Sequence, residues 1–192
     1  MPVAEPAPRY DPRRHRRRSI RLPDHDYAGG VYFVTICTHG RLHLFGDVVD
    51  GAMILNAAGE TVWAEWERSE ALRTEVTLDA FVAMPNHVHG IIHIAGDAST
   101  DAVGATGRSP LRCGPNARPG LPPKSLGAFV AGFKSAVTKR INAMRGTPGG
   151  AVWQRNYYGR VIRAARALHI ARRYVRDNPA RWHRDRCHLG RR

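Results

Sequence analysis

Several absences narrow the reading before any motif is considered. The 192-residue sequence has no uninterrupted apolar run of about 18 residues or more, so no segment reads as a membrane span. Its N-terminus is rich in proline and arginine and lacks an apolar core segment, which excludes a secretory signal and points to the cytoplasm. No glycine-rich loop closing on Gly-Lys-Ser/Thr occurs, so no nucleotide cofactor is expected. Cysteine is scarce. Cys37, Cys113 and Cys187 are far apart and form no Cys-x-x-Cys pair, which fits a reducing compartment and argues against a disulfide scaffold or a zinc ribbon. Acidic residues are also few, 16 against 30 lysines and arginines, a formal net charge of +14.

That excess is not spread evenly. Residues 1–24 carry seven arginines and three acids, and residues 155–192 carry twelve arginines and two acids; the stretch between them is neutral. Arginine makes bidentate contacts to phosphate, so nucleic acid is the leading partner class, with an anionic membrane surface second. The length suits one domain with tails: a basic arm over 1–24, a domain over 25–182 and a basic tail over 183–192. Residues 96–124 contain ten glycines and prolines and no aromatic residue, and read as a flexible insertion.

Hydrophobic periodicity supplies the elements. Val31 to Thr38 is β-branched and aromatic and reads as a strand. From about Ala52 to Ala71 the spacing of Leu55, Ala58, Val62 and Trp66 is helical. Glu75 to Met84 alternates, placing Val76, Leu78, Ala80, Val82 and Met84 on one face. Pro85-Asn86 then marks a tight turn into a second strand from His87 to Ala95. Ser125 is a plausible N-cap for a helix whose apolar stripe is Leu126, Phe129, Val130, Phe133, Val137 and Ile141. A short strand is expected over 158–163, and a last helix from about Ala164 until Pro179 stops it. Trp63, Trp66 and Trp153 read as core residues.

Two constellations carry chemistry. In His87-Val88-His89 the two imidazoles point to one face of a strand, where they can grip a divalent cation. The tripeptide by itself equally describes two histidines at a sheet edge, which is the commoner case. His93 shares their face, two positions beyond the pair, and reads as structural or as a support for them. On the last helix, Tyr174 and Asn178 stand one turn apart. Arg172, Arg173 and Arg176 are expected to surround the phenol and to lower its pKa. A tyrosine that merely packs on a solvated basic helix is the alternative.

Four stretches occur together and in order: Tyr32-Phe33-Val34-Thr35-Ile36; Met84-Pro85-Asn86-His87-Val88-His89-Gly90; Trp153-Gln154-Arg155-Asn156-Tyr157-Tyr158 leading to Val161-Ile162-Arg163; and Tyr174-Val175 leading to Asn178-Pro179 and Trp182. This set resembles the REP-associated tyrosine transposases, a branch of the single-tyrosine HUH transposases, over about residues 20–182. The resemblance implies an α+β fold, a single domain with an antiparallel ferredoxin-like sheet and helices packed on it. It implies cleavage and rejoining of single-stranded or hairpin DNA through a 5′-phosphotyrosine, with Tyr174 as the nucleophile. His87 and His89, with Asn178 as a third ligand, would hold a divalent metal, Mg²⁺ or Mn²⁺. Arg155, Arg160 and Arg163, with the arginines of the last helix, would contact the DNA backbone, and the protein would act as a monomer or a homodimer. Tyr157 and Tyr158 are expected to pack or to stack on bases rather than attack. The chain departs from the family pattern at Gly159-Arg160 and Ala164-Ala165-Arg166, which bears on substrate preference. A cleavage-inactive hairpin-binding protein and an RNA-binding basic protein are the competing readings.

Overall fold

The computed structural model describes residues 29–96 and 121–188. The expected N-terminal arm lies wholly outside them, as do residues 97–120 of the insertion and 189–192 of the tail. In chain order the strands are β1 Gly30–Cys37, β2 Gly46–Val49, β3 Ala52–Leu55, β4 Val76–Met84, β5 His87–Ile94 and β6 Tyr158–Ile162. The helices are α1 Ala57–Ala71, α2 Leu126–Arg145 and α3 Ala165–Asp177. Four strands form an antiparallel sheet in the order β4-β5-β1-β6, and β2 and β3 form a separate hairpin. Apart from that hairpin and α3, the succession strand–helix–strand–strand–helix–strand with this strand order is ferredoxin-like. Among the described residues no helix is long and apolar enough to cross a membrane.

Alternation along the strands divides the molecule into two faces. On one, Tyr32, Val34 and Ile36 of β1 and Val88, Ile92 and Ile94 of β5 pack under α1 and α2. The expected stripe of α2, from Leu126 to Ile141, is buried in this core. Trp66 of α1 lies at its centre, stacked on Phe81 with ring centroids 4.4 Å apart and meeting Phe129 and Phe133 edge-on. Gly90 of β5 is what lets the indole in, since a Cβ there would stand 2.2 Å from the Trp66 ring. The opposite face packs Ile91, Met84, Val82 and Ile162 against Val175, Leu168 and Ala171 of α3.

Local chemistry fixes the helix ends. The Asn56 side chain accepts hydrogen bonds from the Ala58 and Gly59 amides, and Ser125 accepts one from Ala128. Gly146, left-handed at φ 62°, closes α2. Asn178 ends α3, and Pro179 begins a 3-10 turn over Pro179–Arg184.

Three expectations need correction. Residues 52–55 are strand, not the start of a helix. The signal was Asp50-Gly51, both at positive φ (49° and 78°), which is the turn chemistry of a two-residue hairpin. The single apolar face expected for β4 is broken by a bulge between Leu78 and Phe81. Val76, Leu78, Phe81 and Ala83 therefore join the α1–α2 core, while Ala80, Val82 and Met84 join the α3 side. Trp63 is not core: it is 40% exposed and donates from Nε1 to Glu67, whereas Trp66 and Trp153 are buried as expected.

Candidate active site

The face under α3 changes from apolar to polar at one end of the sheet. There β1 and β5 run side by side with Thr35 opposite His89 and Cys37 opposite His87. The Pro85-Asn86 turn starts β5 at His87, so both imidazoles project from the first turn-proximal residues of a central strand and are buried. Their Nε2 atoms are 3.0 Å apart. Each ring is held from behind: His87 Nδ1 lies 2.9 Å from Asn86 Oδ1, and His89 Nδ1 lies 2.8 Å from Thr35 Oγ1. An amide oxygen only accepts, so Asn86 fixes the His87 proton on Nδ1 and leaves the Nε2 lone pair facing the site. Burial, reinforced by the neighbouring His89, pushes the His87 pKa down to about 3, so this ring is neutral, as metal binding requires.

Helix α3 crosses this end and brings Tyr174 to the pair. The phenol oxygen is 3.5 Å from His89 Nε2, and Phe33 stacks on His89 and meets Tyr174 edge-on. One turn on, Asn178 is buried, and its Oδ1 has no hydrogen-bond partner. His87, His89, Tyr174 and Asn178, named from the sequence, are thus brought together.

Asp185 joins them, and sequence reasoning missed it. The 3-10 turn after Pro179 bends the chain back, so this carboxylate is buried beside the histidines. Its Oδ2 accepts hydrogen bonds from the Tyr174 hydroxyl (3.3 Å) and the Asn178 amide (3.1 Å), and lies 3.9 Å and 3.8 Å from the Nε2 atoms of His87 and His89. Burial alone would raise the Asp185 pKa. The contact with His89, the Cys187 amide N–H and the Asn178 amide outweigh it and hold the carboxyl below the usual range. A lone acid in an arginine-rich tail carries no sequence signal of this role.

Cys187 follows. His87, Asp185 and Cys187 each offer a donor atom within 4.8 Å of the others and could hold a metal ion. Two imidazole nitrogens, a carboxylate and a buried, unpartnered amide oxygen also form a mixed nitrogen and oxygen donor set that could hold a divalent cation. Cys37 and Cys187, 150 residues apart in the chain, have sulfurs 3.8 Å apart. Their hydrogen bond lowers the pKa of Cys37 and raises that of Cys187.

The expectation for the tyrosine's acidity is overturned. Burial first, then the Asp185 carboxylate, raise the Tyr174 pKa to about 12. The arginines expected around the phenol lie elsewhere. Arg172 forms a bidentate pair with Asp79 at 2.7–3.0 Å, and Arg173 and Arg176 pair with Asp177. Asp79 also bonds His93, which accounts for that histidine as structural.

A cleft of about 900 Å³ opens over the site, lined by Phe33, Thr35, His89, Tyr174, Asp185 and both cysteines. Among the six arginines named from the sequence, only Arg160 lines it, joined by Arg41 and Arg186, which sequence reasoning missed. Tyr157 and Tyr158 also line it. Arg155 lies with Lys134 and Lys139 on a separate, open depression beside α2, and Arg163 is exposed just past the end of β6.

Comparison with known proteins adds three findings. No family model matches the chain. A Haemophilus influenzae protein of uncharacterised function is 36% identical over 180 residues, covering 91% of this chain and 94% of that one. A solved REP-associated tyrosine transposase, bound to a REP hairpin, superposes with a TM-score of 0.53 at 14% identity, covering 84% of this chain and 73% of the other.

Proposed function

We propose, for a chain that belongs to the same family as the Haemophilus influenzae protein and has the fold of the REP-associated tyrosine transposase, that it cleaves and rejoins single-stranded DNA with Tyr174 as nucleophile. The observation that carries this reading is the convergence of a tyrosine hydroxyl, a carboxylate and two histidines within 3.3–3.9 Å, at the floor of an open cleft rimmed by arginines.

The DNA backbone enters the cleft past Arg160, Arg41 and Arg186, whose guanidiniums meet phosphate oxygens. Tyr157 and Tyr158 offer ring faces to splayed bases. The Tyr174 oxygen attacks phosphorus while Asp185, which accepts its hydrogen bond, orients the phenol, whose proton is lost to solvent in the open cleft. A P–O bond to tyrosine forms, the bond to the 3′-oxygen breaks, and that oxygen leaves as a hydroxyl with a proton taken from solvent in the open cleft. The product is a 5′-phosphotyrosine, which a second 3′-hydroxyl can reverse without ATP. His87 and His89, with Asn178 Oδ1 and the Asp185 carboxylate, would hold a divalent cation, Mg²⁺ or Mn²⁺. Bound there, such a cation would supply Lewis acidity at a phosphate oxygen and would favour the phenolate. The substrate class is hairpin-forming palindromic DNA, met in the cytoplasm.

The test is incubation of the purified chain with single-stranded palindromic repeats flanking its own gene, with Mn²⁺, Mg²⁺ or chelator. A covalent protein–DNA adduct is expected with metal and is expected to vanish in Tyr174→Phe. Salt-sensitive hairpin binding without adduct under any metal would instead favour a binding module, and preference for an RNA copy of the hairpin would remove the transposase reading.

A further inference from the structure

The two cysteines of the cleft take no part in the strand cleavage proposed above, and their sulfurs meet across 150 residues of chain. Cys37 ends β1, on the same strand face as Phe33 and Thr35. Cys187 lies in the irregular segment after the Pro179–Arg184 turn. That segment has no ladder partner. Non-covalent bonds hold it: Asn86 Nδ2 donates to the Cys187 carbonyl (2.8 Å), Arg41 donates to the Arg186 carbonyl (3.1 Å), and the Cys187 amide turns back to Asp185 (2.6 Å). The sulfurs stand 3.8 Å apart, both thiols are free, and both side chains line the open cleft, where a small reagent can reach them.

We propose that Cys37 and Cys187 form a thiol pair oxidised by low-molecular-weight disulfides, and that the bond they make ties the Asp185-bearing segment covalently to β1. Cys37, the less buried of the two residues, attacks one sulfur of the reagent and expels its first thiol. Cys187 then attacks the Cys37 sulfur of the mixed disulfide and expels the second. Two protein thiols are oxidised and one reagent disulfide is reduced to two thiols, so hydrogens and electrons balance. Asp185, two residues ahead of Cys187, is then fixed in its place beside His87 and His89. The bond replaces hydrogen bonds that can open with a tether that cannot, so local opening of the segment is suppressed. The thiols and the tether do not depend on what the cleft acts on.

The experiment treats the full chain with graded oxidised-to-reduced glutathione in a chelating buffer, then alkylates free thiols and maps peptides without reduction. The expected product carries a Cys37–Cys187 cross-linked peptide and has lost two hydrogens (~2 Da). Amide hydrogen exchange over residues 183–188 slows in the oxidised form, while exchange in α2 is unchanged. A Cys113→Ser chain gives the same cross-link. Full alkylation of Cys37 and Cys187, a glutathione adduct that persists on either, or a cross-link to Cys113 would overturn the pair. A Cys37–Cys187 cross-link with unchanged exchange over 183–188 would overturn the tether.

Discussion

The two faces of the sheet are made by the same strands and do different work. Under α1 and α2 the residues between strands and helices are apolar and aromatic, with Trp66, Phe81, Phe129, Phe133 and Trp153 in mutual contact. Under α3 the apolar packing of Ile91, Met84 and Val175 gives way to buried His87, His89, Asn178 and Asp185. β5 serves both: Val88 and Ile92 point one way, His87 and His89 the other. Burying polar groups is costly unless they bond one another, and here His87 is held by Asn86, His89 by Thr35, and the Tyr174 hydroxyl and Asn178 amide by Asp185. Stability is therefore concentrated on one side of β5, and the groups available for chemistry on the other.

Substitutions can break or sharpen that division. The largest effect on folding is expected for Trp66→Ala, which empties the centre of the apolar face and costs about 3–5 kcal/mol in urea unfolding. Gly90→Ala destabilises by a smaller amount, about 1–3 kcal/mol, because its methyl meets the Trp66 ring. The double variant loses less than the sum of the two, since the indole that clashes is gone. A fully additive cycle would show that the glycine's role is not to admit the indole.

On the other face, Thr35→Val keeps shape and removes the hydroxyl that orients His89. Manganese affinity by titration calorimetry is expected to fall about 10–100-fold, while stability shifts by no more than about 1–1.5 kcal/mol. A large stability loss with unchanged metal binding would blur the distinction between the faces.

The smallest effect belongs to Asp79, on the sheet edge. Its hydrogen bond from Arg172, with help from His93, lowers its pKa. A carboxyl depressed by folding stabilises above its unfolded pKa of about 4, and that contribution is lost as pH falls through the folded value. Asp79→Asn should lower the melting temperature at pH 7 by about 1–3 °C, and the gap to the parent should close in acid. A gap that persists or widens there would mean that the pair contributes by packing and not by charge.

What the sequence made legible follows the same division. The apolar face repeats, so period-2 strands and the α2 stripe were readable, and Gly90 sits where the repeat needs it. The His pair was readable because i and i+2 share a face of any strand. The β2–β3 hairpin was hidden because four-residue strands lie inside a helical spacing, although Asp50-Gly51 marked the turn. The bulge at Leu78–Phe81 was hidden because one extra residue leaves the composition unchanged. Asp185, Arg41 and Arg186 reach the cleft only through the turn after Pro179 and the contacts between distant segments, so counting charge located the basic region without locating the charges. The +10 excess of residues 155–192 is real, but three of its twelve arginines are engaged away from the cleft, Arg172 with Asp79 and Arg173 and Arg176 with Asp177.

Three tyrosines line the cleft, and the proposed chemistry belongs to one of them, Tyr174. The most direct test digests the adduct formed on a metal-loaded palindromic single strand with nuclease and protease, and locates the nucleotide remnant by tandem mass spectrometry. A 5′-nucleotide is expected on the Tyr174 peptide and none on the peptide carrying Tyr157 and Tyr158. A remnant on Tyr157 or Tyr158, with Tyr174 unmodified, would contradict it.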